Sequence, residues 1–255
     1  MASKDTSWEK VAGWYDKHLE NDADTYQNLV ILPNLARLLS LAGRERVLDL
    51  ACGQGFFTRA FAKSAKTIEG CDLSPTLIAS AKEHSGASIR FTVSNAMTLR
   101  FAKDASFDVV YCVLALQNIE KVAETLKEIS RVLTKQGRFV FVLNHPAFRV
   151  PKHSAWGFDE KVGVQYRRVD RYLSSSKEKI DMTPSKKSNK EYTVSFHRSL
   201  QEYMKLLRAS GFAVTRLEEW ISHRKSEKGP RANAEDAARK EFPLFLAVET
   251  QKLSS

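Results

Sequence analysis

A glycine-bearing turn between an apolar strand and a helix constrains the fold of this chain more than any other feature. The strand pattern runs from Arg46 to Ala51, the turn is Cys52-Gly53-Gln54-Gly55, and a helix pattern extends from Phe56 to Ala65. Glycines let a backbone approach a ligand closely, and a strand, turn and helix in this order form nucleotide-type sites in parallel sheets. The sequence therefore predicts a ligand-binding turn at the carboxyl end of the first strand.

Strand and helix patterns alternate through most of the remaining chain. The apolar run at residues 107–113 is typical of a central parallel strand. The alternation predicts an α/β fold, with a doubly wound, mostly parallel, seven-stranded Rossmann-like sheet and helices on both faces. The other predicted strands are Thr67–Cys71, Ile89–Val93, Gly137–Leu143, Phe212–Trp220 and Leu244–Val248, and the other predicted helices lie within 7–42, 74–85, 122–133 and 199–210.

The chain is expected to form a single domain over residues 1–255. After the fifth strand, at Asn144-His145-Pro146, the pattern breaks, and residues 147–195 are polar and aromatic with weak periodicity. We interpret this stretch as an inserted lid whose loosest parts are Ser174–Ser176 and Pro184–Asn189. Residues 223–241 are charged and are expected at the surface. The predicted parts are an N-terminal helical cap (1–45), a cofactor-binding core (46–146), the lid or acceptor insertion (147–198), and a C-terminal helix with the last two strands (199–255).

The composition excludes several classes of protein. Three cysteines without close pairing argue against a disulfide framework and against a zinc site. Neither a signal-peptide pattern nor an apolar run of membrane-spanning length is present, so a cytoplasmic protein is expected. The net charge is +10, and residues 147–200 hold 12 Lys+Arg against 6 Asp+Glu, a balance of +6. Such a basic segment either attracts an acidic substrate or nucleic acid, or is a solvated lysine-rich surface.

The residues around the turn favour an adenosyl ligand that carries a positive charge. The turn lacks the GxGxxG of dinucleotide binders, because Thr58 takes the third position, and Asp49 lies within the preceding strand. A pyrophosphate prefers helix N–H groups to a carboxylate, whereas an ammonium group tolerates one. Asp72, 19 residues after Gly53, is placed to bind ribose hydroxyls, and Asn95 is placed to pair with an adenine edge.

Each of these residues also has a structural alternative. Asp49 could cap the nearby turn, Asp72 could cap the following helix, and Asn95 could be a plain turn residue. The cysteines Cys52, Cys71 and Cys112 are expected to be small core residues rather than nucleophiles.

Five motifs in a fixed order carry a family resemblance. The sequence Val47-Leu48-Asp49-Leu50-Ala51-Cys52-Gly53-Gln54-Gly55 resembles the first motif of class I S-adenosylmethionine-dependent methyltransferases. The stretches at Asp72, Asn95-Ala96, 107–110 and 129–139 resemble the later motifs. Trp14-Tyr15-Asp16 is similar to a short motif of the ubiquinone- and menaquinone-biosynthesis branch. The resemblance covers residues 8–146 and resumes at 196–220 and 242–252, but it is poor over 147–195.

The resemblance implies S-adenosylmethionine as the cofactor, S-adenosylhomocysteine as its product, and a set of binding roles. Asp49 and the backbone of Ala51, Gly53 and Gly55 would hold the methionine end, and Asp72 the ribose. The remaining implied cofactor contacts are Tyr15, Leu73, Asn95, Ala96, Cys112 and Val113. Two positions depart from the family pattern: Phe57 replaces a small residue, and Asn95 replaces the commoner Asp.

The second half is expected to select the methyl acceptor. His145 and His197 are the candidate catalytic bases, although each could be a structural hydrogen-bonding residue. The possible walls of an acceptor site are Trp156, Phe158, Tyr166 and Tyr172, and its possible anion-binding residues are Arg149, Lys152, Arg167, Arg168 and Arg171. Because no RNA-binding module is recognisable, a small-molecule acceptor is favoured over RNA or tRNA.

Two alternatives lie outside this class. A cofactor-binding scaffold or sensor without catalysis is the alternative of another class. A nicotinamide oxidoreductase is disfavoured, because both GxGxxG and Tyr-x-x-x-Lys are missing.

Overall fold

The computed structural model describes residues 8–9, 23–183 and 190–253. Its main feature is the expected seven-stranded sheet, which confirms the predicted fold class. The strands of this sheet are β1 (Arg46–Leu50), β2 (Thr67–Asp72), β3 (Arg90–Val93), β4 (Phe107–Val113), β5 (Leu133–Asn144), β10 (Phe212–Trp220) and β11 (Phe245–Lys252). Four further strands form two hairpins outside the sheet: β6 (Ser154–Asp159) with β7 (Val164–Val169), and β8 (Ser176–Asp181) with β9 (Tyr192–His197).

The order of the strands locates the ligand-binding edge of the sheet. It runs β10-β11-β5-β4-β1-β2-β3, and β11 is antiparallel to both of its neighbours while the other pairs are parallel. The chain winds from β1 toward β3 in one direction and from β4 toward β5 in the other. Parallel sheets bind ligands beyond the carboxyl ends of the strands at such a switch. The switch lies between β1 and β4, directly at the glycine-bearing turn.

Helices cover both faces of the sheet, because alternate side chains of each strand point to opposite sides. Leu48 and Leu50 pack in one core with the helices at 122–132 and 200–209, and Val47 packs in the other core with the helices at 32–39 and 56–61. Ser74 caps its helix as expected, since its Oγ accepts a hydrogen bond from the Leu77 amide at 3.1 Å. The helices are α1 (Leu32–Leu39, preceded by a π-helical turn, Gln27–Ile31), α2 (Phe56–Phe61), α3 (Pro75–Glu83), α4 (Val122–Val132), α5 (Leu200–Ala209) and α6 (Ala232–Glu241).

The segment 147–195, in which the sequence analysis predicted no strand, contains β6, β7, β8 and most of β9. In β7 exposed and half-buried residues alternate, so the strand has one face against the protein and one toward solvent. Tyr166 lies opposite Gly157, and a Cβ on Gly157 would meet the Tyr166 ring at 2.4 Å. The lid and the other segment boundaries stay predictions, and the predicted loose stretch Pro184–Asn189 lies outside the described residues.

Three further boundaries differ from the sequence prediction. Strand β5 begins at Leu133, before the predicted Gly137, and helix α6 lies within the stretch that was expected only to be charged surface. Of the predicted N-terminal helix, Trp8 and Glu9 form a turn and residues 27–39 are helical, while residues 10–22 lie outside the described part. None of the described helices is both long and apolar enough to cross a bilayer.

Candidate active site

The turn after β1 has an alternating left-handed backbone. Ala51, Gly53 and Gly55 all have positive φ, at 58°, 56° and 81°. A left-handed conformation is unfavourable for alanine, and such strain gathers at ligand sites. The Cys52 amide donates to the Cys71 carbonyl at 3.0 Å, which ties the turn to β2. At Gly55 a Cβ would lie 2.9 Å from the Phe91 ring, so only glycine fits both the backbone and the space.

Asp72 ends β2 and faces the turn. Its Oδ2 accepts a hydrogen bond from the Gly53 amide at 3.0 Å, and its Oδ1 accepts one from the Ser74 amide at 2.9 Å. Burial raises the pKa of Asp72, and these backbone amides oppose that rise. Each carboxylate oxygen has a second lone pair, so the group can still accept from a ligand hydroxyl. The Glu9 carboxylate lies nearby, hydrogen-bonded to the Ser74 and Thr76 hydroxyls.

Asp49 is almost wholly buried, with 2% of its surface exposed. The Thr58 hydroxyl donates to its Oδ2 at 2.6 Å, which joins β1 to helix α2. Burial raises the pKa of Asp49 to about 7, and the hydrogen bond from Thr58 opposes the rise. The structure thus shows Asp49 stabilising the turn from behind. Its predicted contact with a ligand stays a prediction.

Gln54 and Arg59 make a second contact behind the turn. The Arg59 guanidinium donates to the Gln54 carbonyl at 2.6 Å and to its Oε1 at 2.7 Å. The buried Gln54 Nε2 has no hydrogen-bond partner in the described part of the chain. The polar groups at the turn are therefore backbone amides, which donate, and carboxylates, which accept, and the nearest arginine, Arg59, is folded back onto Gln54. These groups fit a ligand with hydroxyl groups and a positive charge, and they do not fit a pyrophosphate.

The other predicted cofactor contacts are spread along the same edge. Asn95 and Ala96 follow β3, and Asn95 Oδ1 accepts from the Met97 amide at 2.9 Å, so this side chain also shapes a turn. Leu73 is 40% exposed beside Asp72. The Cys112 side chain is fully buried in the core, so Val113 is the residue that retains exposed surface at the end of β4. Tyr15 lies outside the described residues.

None of the three cysteines has the character of a nucleophile. All are free, and Cys71 and Cys112 are buried. Burial raises the pKa of each thiol above its usual range, most strongly through loss of solvation, and the nearby Asp49 and Asp72 add to the effect at Cys52. The thiolate is the reactive form of cysteine, so the structure favours their expected role as small core residues.

His145 is placed at the edge of the sheet, but both of its ring nitrogens are engaged. Nδ1 accepts from the Ala147 amide at 3.2 Å, and Nε2 lies 2.7 Å from the Glu219 carboxylate, to which it donates. Burial lowers the pKa of His145 although Glu219 opposes this, so the ring is held neutral. The geometry favours the structural alternative for this residue.

His197 ends β9, and in the described part of the chain one of its two ring nitrogens, Nε2, makes a hydrogen bond. Its Nε2 lies 2.8 Å from the Tyr172 carbonyl, to which it donates, so Nδ1 is the acceptor. The ring lines a cavity of about 240 Å³ together with Arg198 and Phe196. Arg198 donates to the Ile119 and Glu120 carbonyls, which follow β4. The structure therefore brings His197 toward the segment that follows β4.

The sequence did not single out the partners that hold these groups. In the sequence, Thr58 is marked only by its position, where dinucleotide-binding proteins have a third glycine. No other feature of the sequence indicates that it contacts Asp49. Arg59, Glu9 and Glu219 gave no signal, because their contacts depend on tertiary structure. Arg167 and Arg168 are both among the predicted anion-binding residues, but β7 directs them to opposite faces. Arg167 donates to the Phe148 carbonyl, and Arg168 pairs with Asp170 at 2.9 Å.

Known methyltransferases are similar to this chain over the residues that form the sheet edge. A family model described as a methyltransferase domain matches residues 48–141. The ubiquinone biosynthesis O-methyltransferase of Xylella fastidiosa (strain M23) is 30% identical over 138 residues, 52% of this chain and 56% of that protein. The demethylmenaquinone methyltransferase of Deinococcus radiodurans is 38% identical over 103 residues, 38% of this chain and 42% of that protein.

A solved structure extends the likeness over most of the fold. The crystal structure of an S-adenosylmethionine-dependent methyltransferase from Mesorhizobium loti superposes with a TM-score of 0.68 at 29% identity, covering 86% of this chain and 96% of that chain. The chain spans about half the length of the curated relatives it matches. The matched domain contains the turn, Asp72, Asn95 and Val113, and it ends before the two hairpins.

Proposed function

We propose that this chain, which belongs to the class I S-adenosylmethionine-dependent methyltransferases, transfers the methyl group of S-adenosylmethionine to a small molecule. The observation that carries the proposal is the pairing of the left-handed turn Ala51–Gly55 with the Asp72 carboxylate at the switch point of the sheet. The matched family and the relatives that act in quinone biosynthesis support methylation as the reaction class.

Different residues at the carboxyl-end edge of the sheet would bind different parts of the cofactor. Asp72 would accept hydrogen bonds from the ribose hydroxyls, Asn95 and Ala96 would contact the adenine, and the backbone of the turn would hold the methionine end. When bound, S-adenosylmethionine supplies a methyl group on a positively charged sulfur that a nucleophile can displace. The protein's contribution is to position the two reactants and exclude water. Tyr15, Leu73 and Val113 complete the proposed contacts.

The acceptor would lie beyond the carboxyl ends of β4 and β5. A protonated acceptor such as a phenol needs a base to take its proton. His197 is the candidate we retain, because its Nδ1 is the accepting nitrogen and its ring lines a cavity beside the segment after β4. His145 is not retained as a base, since Ala147 and Glu219 occupy its two nitrogens.

The contacts made by the basic segment, residues 147–200, favour a small molecule over RNA as the methyl acceptor. Lys152, Arg168, Lys177 and Lys190 are each within 4 Å of a carboxylate, at distances of 2.8–3.3 Å. Arg167 and Arg198 turn toward backbone carbonyls. Much of the positive charge is therefore neutralised or directed inward and does not form a continuous phosphate-binding face.

We also propose a reducing, cytoplasmic setting, which the three free thiols support.

The test is S-adenosylhomocysteine release from S-adenosylmethionine with a panel of phenolic and other small acceptors, and with tRNA. At least one small acceptor should support turnover. Asp72→Asn should weaken S-adenosylmethionine binding by about 1.5–3 kcal/mol, the scale of a hydrogen bond to a charged group. Glu69→Gln is the matched control, because Glu69 lies on the same strand and pairs with Arg90. Turnover with tRNA alone, or equal cofactor affinity in both variants, would contradict the proposal.

A further inference from the structure

We infer that Ser176 and His197, which face each other across the β8–β9 hairpin, bind the hydroxyl group of the methyl acceptor. Ser176 donates a hydrogen bond to the acceptor oxygen, and His197 accepts the hydrogen of the same hydroxyl. The acceptor is then an alcohol or a phenol, and the reaction is O-methylation. The inference rests on the proposed function and deepens it, because it names the substrate class and adds Ser176 to the candidate site.

Ser176 and His197 are partners in the register of the hairpin. Ser176 begins β8, His197 ends β9, and the two residues lie directly opposite each other. The side chains of opposite residues in an antiparallel pair point to the same face, with Cβ atoms about 4.5–5.5 Å apart. Both residues line the cavity of about 240 Å³ that also contains Phe196 and Arg198. One oxygen atom of a ligand can therefore lie within hydrogen-bond distance of both side chains.

The Ser176 hydroxyl is buried and has no hydrogen-bond partner in the described part of the chain. Burial of a hydroxyl without a partner costs free energy, and such groups are few in native proteins. The adjacent Ser175 differs, because its exposed hydroxyl donates to Glu202 Oε2 at 2.7 Å. The Ser176 hydroxyl is thus a donor available to a ligand, and rotation about χ1 changes its position on the face that it shares with His197.

His197 provides the matching acceptor. Its Nε2 donates to the Tyr172 carbonyl at 2.8 Å, which leaves Nδ1 as the accepting nitrogen. The Tyr172 hydroxyl in turn accepts from the Leu200 amide at 2.9 Å, at the start of α5. Tyr172 therefore connects the imidazole ring to a helix that packs on the central sheet, and this contact fixes the orientation of the ring.

Arg198 joins the end of the hairpin to the segment that follows β4. The residue is buried, with 8% of its surface exposed, and its guanidinium donates to the carbonyls of Ile119 and Glu120 at 3.0 and 2.6 Å. Val113, one of the proposed cofactor contacts, ends β4. Arg198 thus holds His197 against the segment that leads directly away from the proposed cofactor site.

The charges of the lining favour a neutral ligand. Its four charged residues form two ion pairs: Lys177 lies 3.2 Å from Glu120, and Arg198 Nε lies 3.6 Å from Glu202. Neither sign of charge is in excess among these residues. A neutral hydroxyl compound therefore fits the cavity better than a carboxylate, a phosphate or an ammonium group.

A hydroxyl group also matches the donor and the acceptor better than an amine does. Its oxygen accepts a hydrogen bond while its hydrogen donates one. A protonated amine has donors only, and an aromatic amine is a poor acceptor because its lone pair is delocalised into the ring. In the transfer, the acceptor oxygen bonds to the methyl carbon, the carbon–sulfur bond of the cofactor breaks with its electron pair on sulfur, and the hydroxyl proton moves to His197 Nδ1.

The experiment uses the full chain, labelled with ¹⁵N-histidine and saturated with S-adenosylhomocysteine, and titrates it with phenol and with aniline. The two probes have nearly the same size and shape. Binding is followed by NMR at the ring nitrogens of His197, whose signals a His197→Gln variant identifies. Phenol should bind about threefold to tenfold more tightly than aniline, the scale of one hydrogen bond, and it should shift the Nδ1 resonance.

The variants separate a contact with the ligand from a structural role. Ser176→Ala should lower the affinity for phenol to that for aniline. Its unfolding temperature should not fall, because the hydroxyl that it loses has no partner in the described part of the chain. Ser176→Thr keeps a hydroxyl and should retain the preference for phenol. Ser175→Ala is the matched control and should leave both affinities unchanged.

Equal binding of phenol and aniline to the wild type, or binding of neither, would overturn the inference, and so would equal losses in Ser175→Ala and Ser176→Ala. A titration of each protein with S-adenosylhomocysteine alone separates this failure from that of the proposed function. If S-adenosylhomocysteine binds and no preference depends on Ser176, the hydroxyl site is wrong and methyl transfer stands. If it does not bind but the preference depends on Ser176, the hydroxyl site stands and methyl transfer is wrong.

Discussion

The Asp49 carboxyl has no solvent to stabilise its charge, and one hydroxyl, that of Thr58, donates to it at 2.6 Å. Neutral hydroxyl and amide donors do not replace full hydration of a carboxylate. The proton is therefore retained in the folded chain until a pH of about 7. In the unfolded chain the same carboxyl ionises near its ordinary value of 3.8. The group contributes stability below pH 3.8 that is lost as the pH rises toward 7.

The exchange of Asp49 for asparagine tests this linkage. Asp49→Asn keeps an oxygen for the Thr58 hydroxyl and removes the ionisation. The stability of the wild type should fall relative to that of the variant as pH rises from 5 to 8, by up to about 3 kcal/mol. Urea unfolding of both proteins at several pH values measures the difference. Parallel pH profiles would show that Asp49 is not the titrating group.

Adjacent residues of the same type that make different contacts explain why the sequence alone does not identify every residue of the candidate site. Asp72 was found because strand ends of a doubly wound sheet are regular positions. Arg167 and Arg168 are chemically alike in the sequence, and only the pairing of β7 with β6 directs one inward and the other to Asp170. The tautomer and partners of His145 depend in the same way on β10, which is distant in the chain.

At the scale of elements, the turn after β1 limits which residue can begin helix α2. Gly55 combines a φ of +81° with a Cβ position 2.9 Å from the Phe91 ring, whereas Gly43 has a φ of +79° with nothing within 4 Å. Gly43→Ala therefore measures backbone strain alone, about 1–2 kcal/mol. Gly55→Ala should cost at least about 1 kcal/mol more, because of overpacking against Phe91.

Urea unfolding of the two glycine variants against the wild type provides the measurement. Gly43 and Gly55 have nearly the same φ, so the backbone strain of an alanine is nearly the same at both positions. The difference between the two losses in the free energy of unfolding therefore measures the contact with Phe91. Equal destabilisation would mean that Phe91 moves aside without loss and that close packing does not hold the turn in place.

The elements that sequence predicted best are those whose pattern is local. Strand β4 agrees with its predicted bounds, because both of its faces are buried and its apolar run is continuous. The hairpins β6–β7 and β8–β9 were missed because their strands are largely exposed on one face, and no apolar stripe marks them. Helix α6 was missed for a related reason: of its ten residues only Ala238 is buried. Tertiary contacts hold these elements in place.

At the scale of the molecule, two cores on opposite faces of one sheet hold the turn, Asp72 and the strand ends as a single edge. The cofactor would occupy the side of β1 and β2, and the cavity lined by Trp156, Phe242 and Leu244 lies toward β5 and β11. The basic insertion contributes Trp156 to the cavity wall, and the Arg167 guanidinium lies 5.1 Å from the centre of the Trp156 ring.

Binding of the cofactor tests the central claim most directly. Isothermal titration of the full chain with S-adenosylmethionine or S-adenosylhomocysteine should give a single site at micromolar affinity. The same titration with NADH should give no binding, because the turn offers carboxylates where a pyrophosphate needs N–H donors. Binding of NADH without binding of either adenosyl compound would contradict the account.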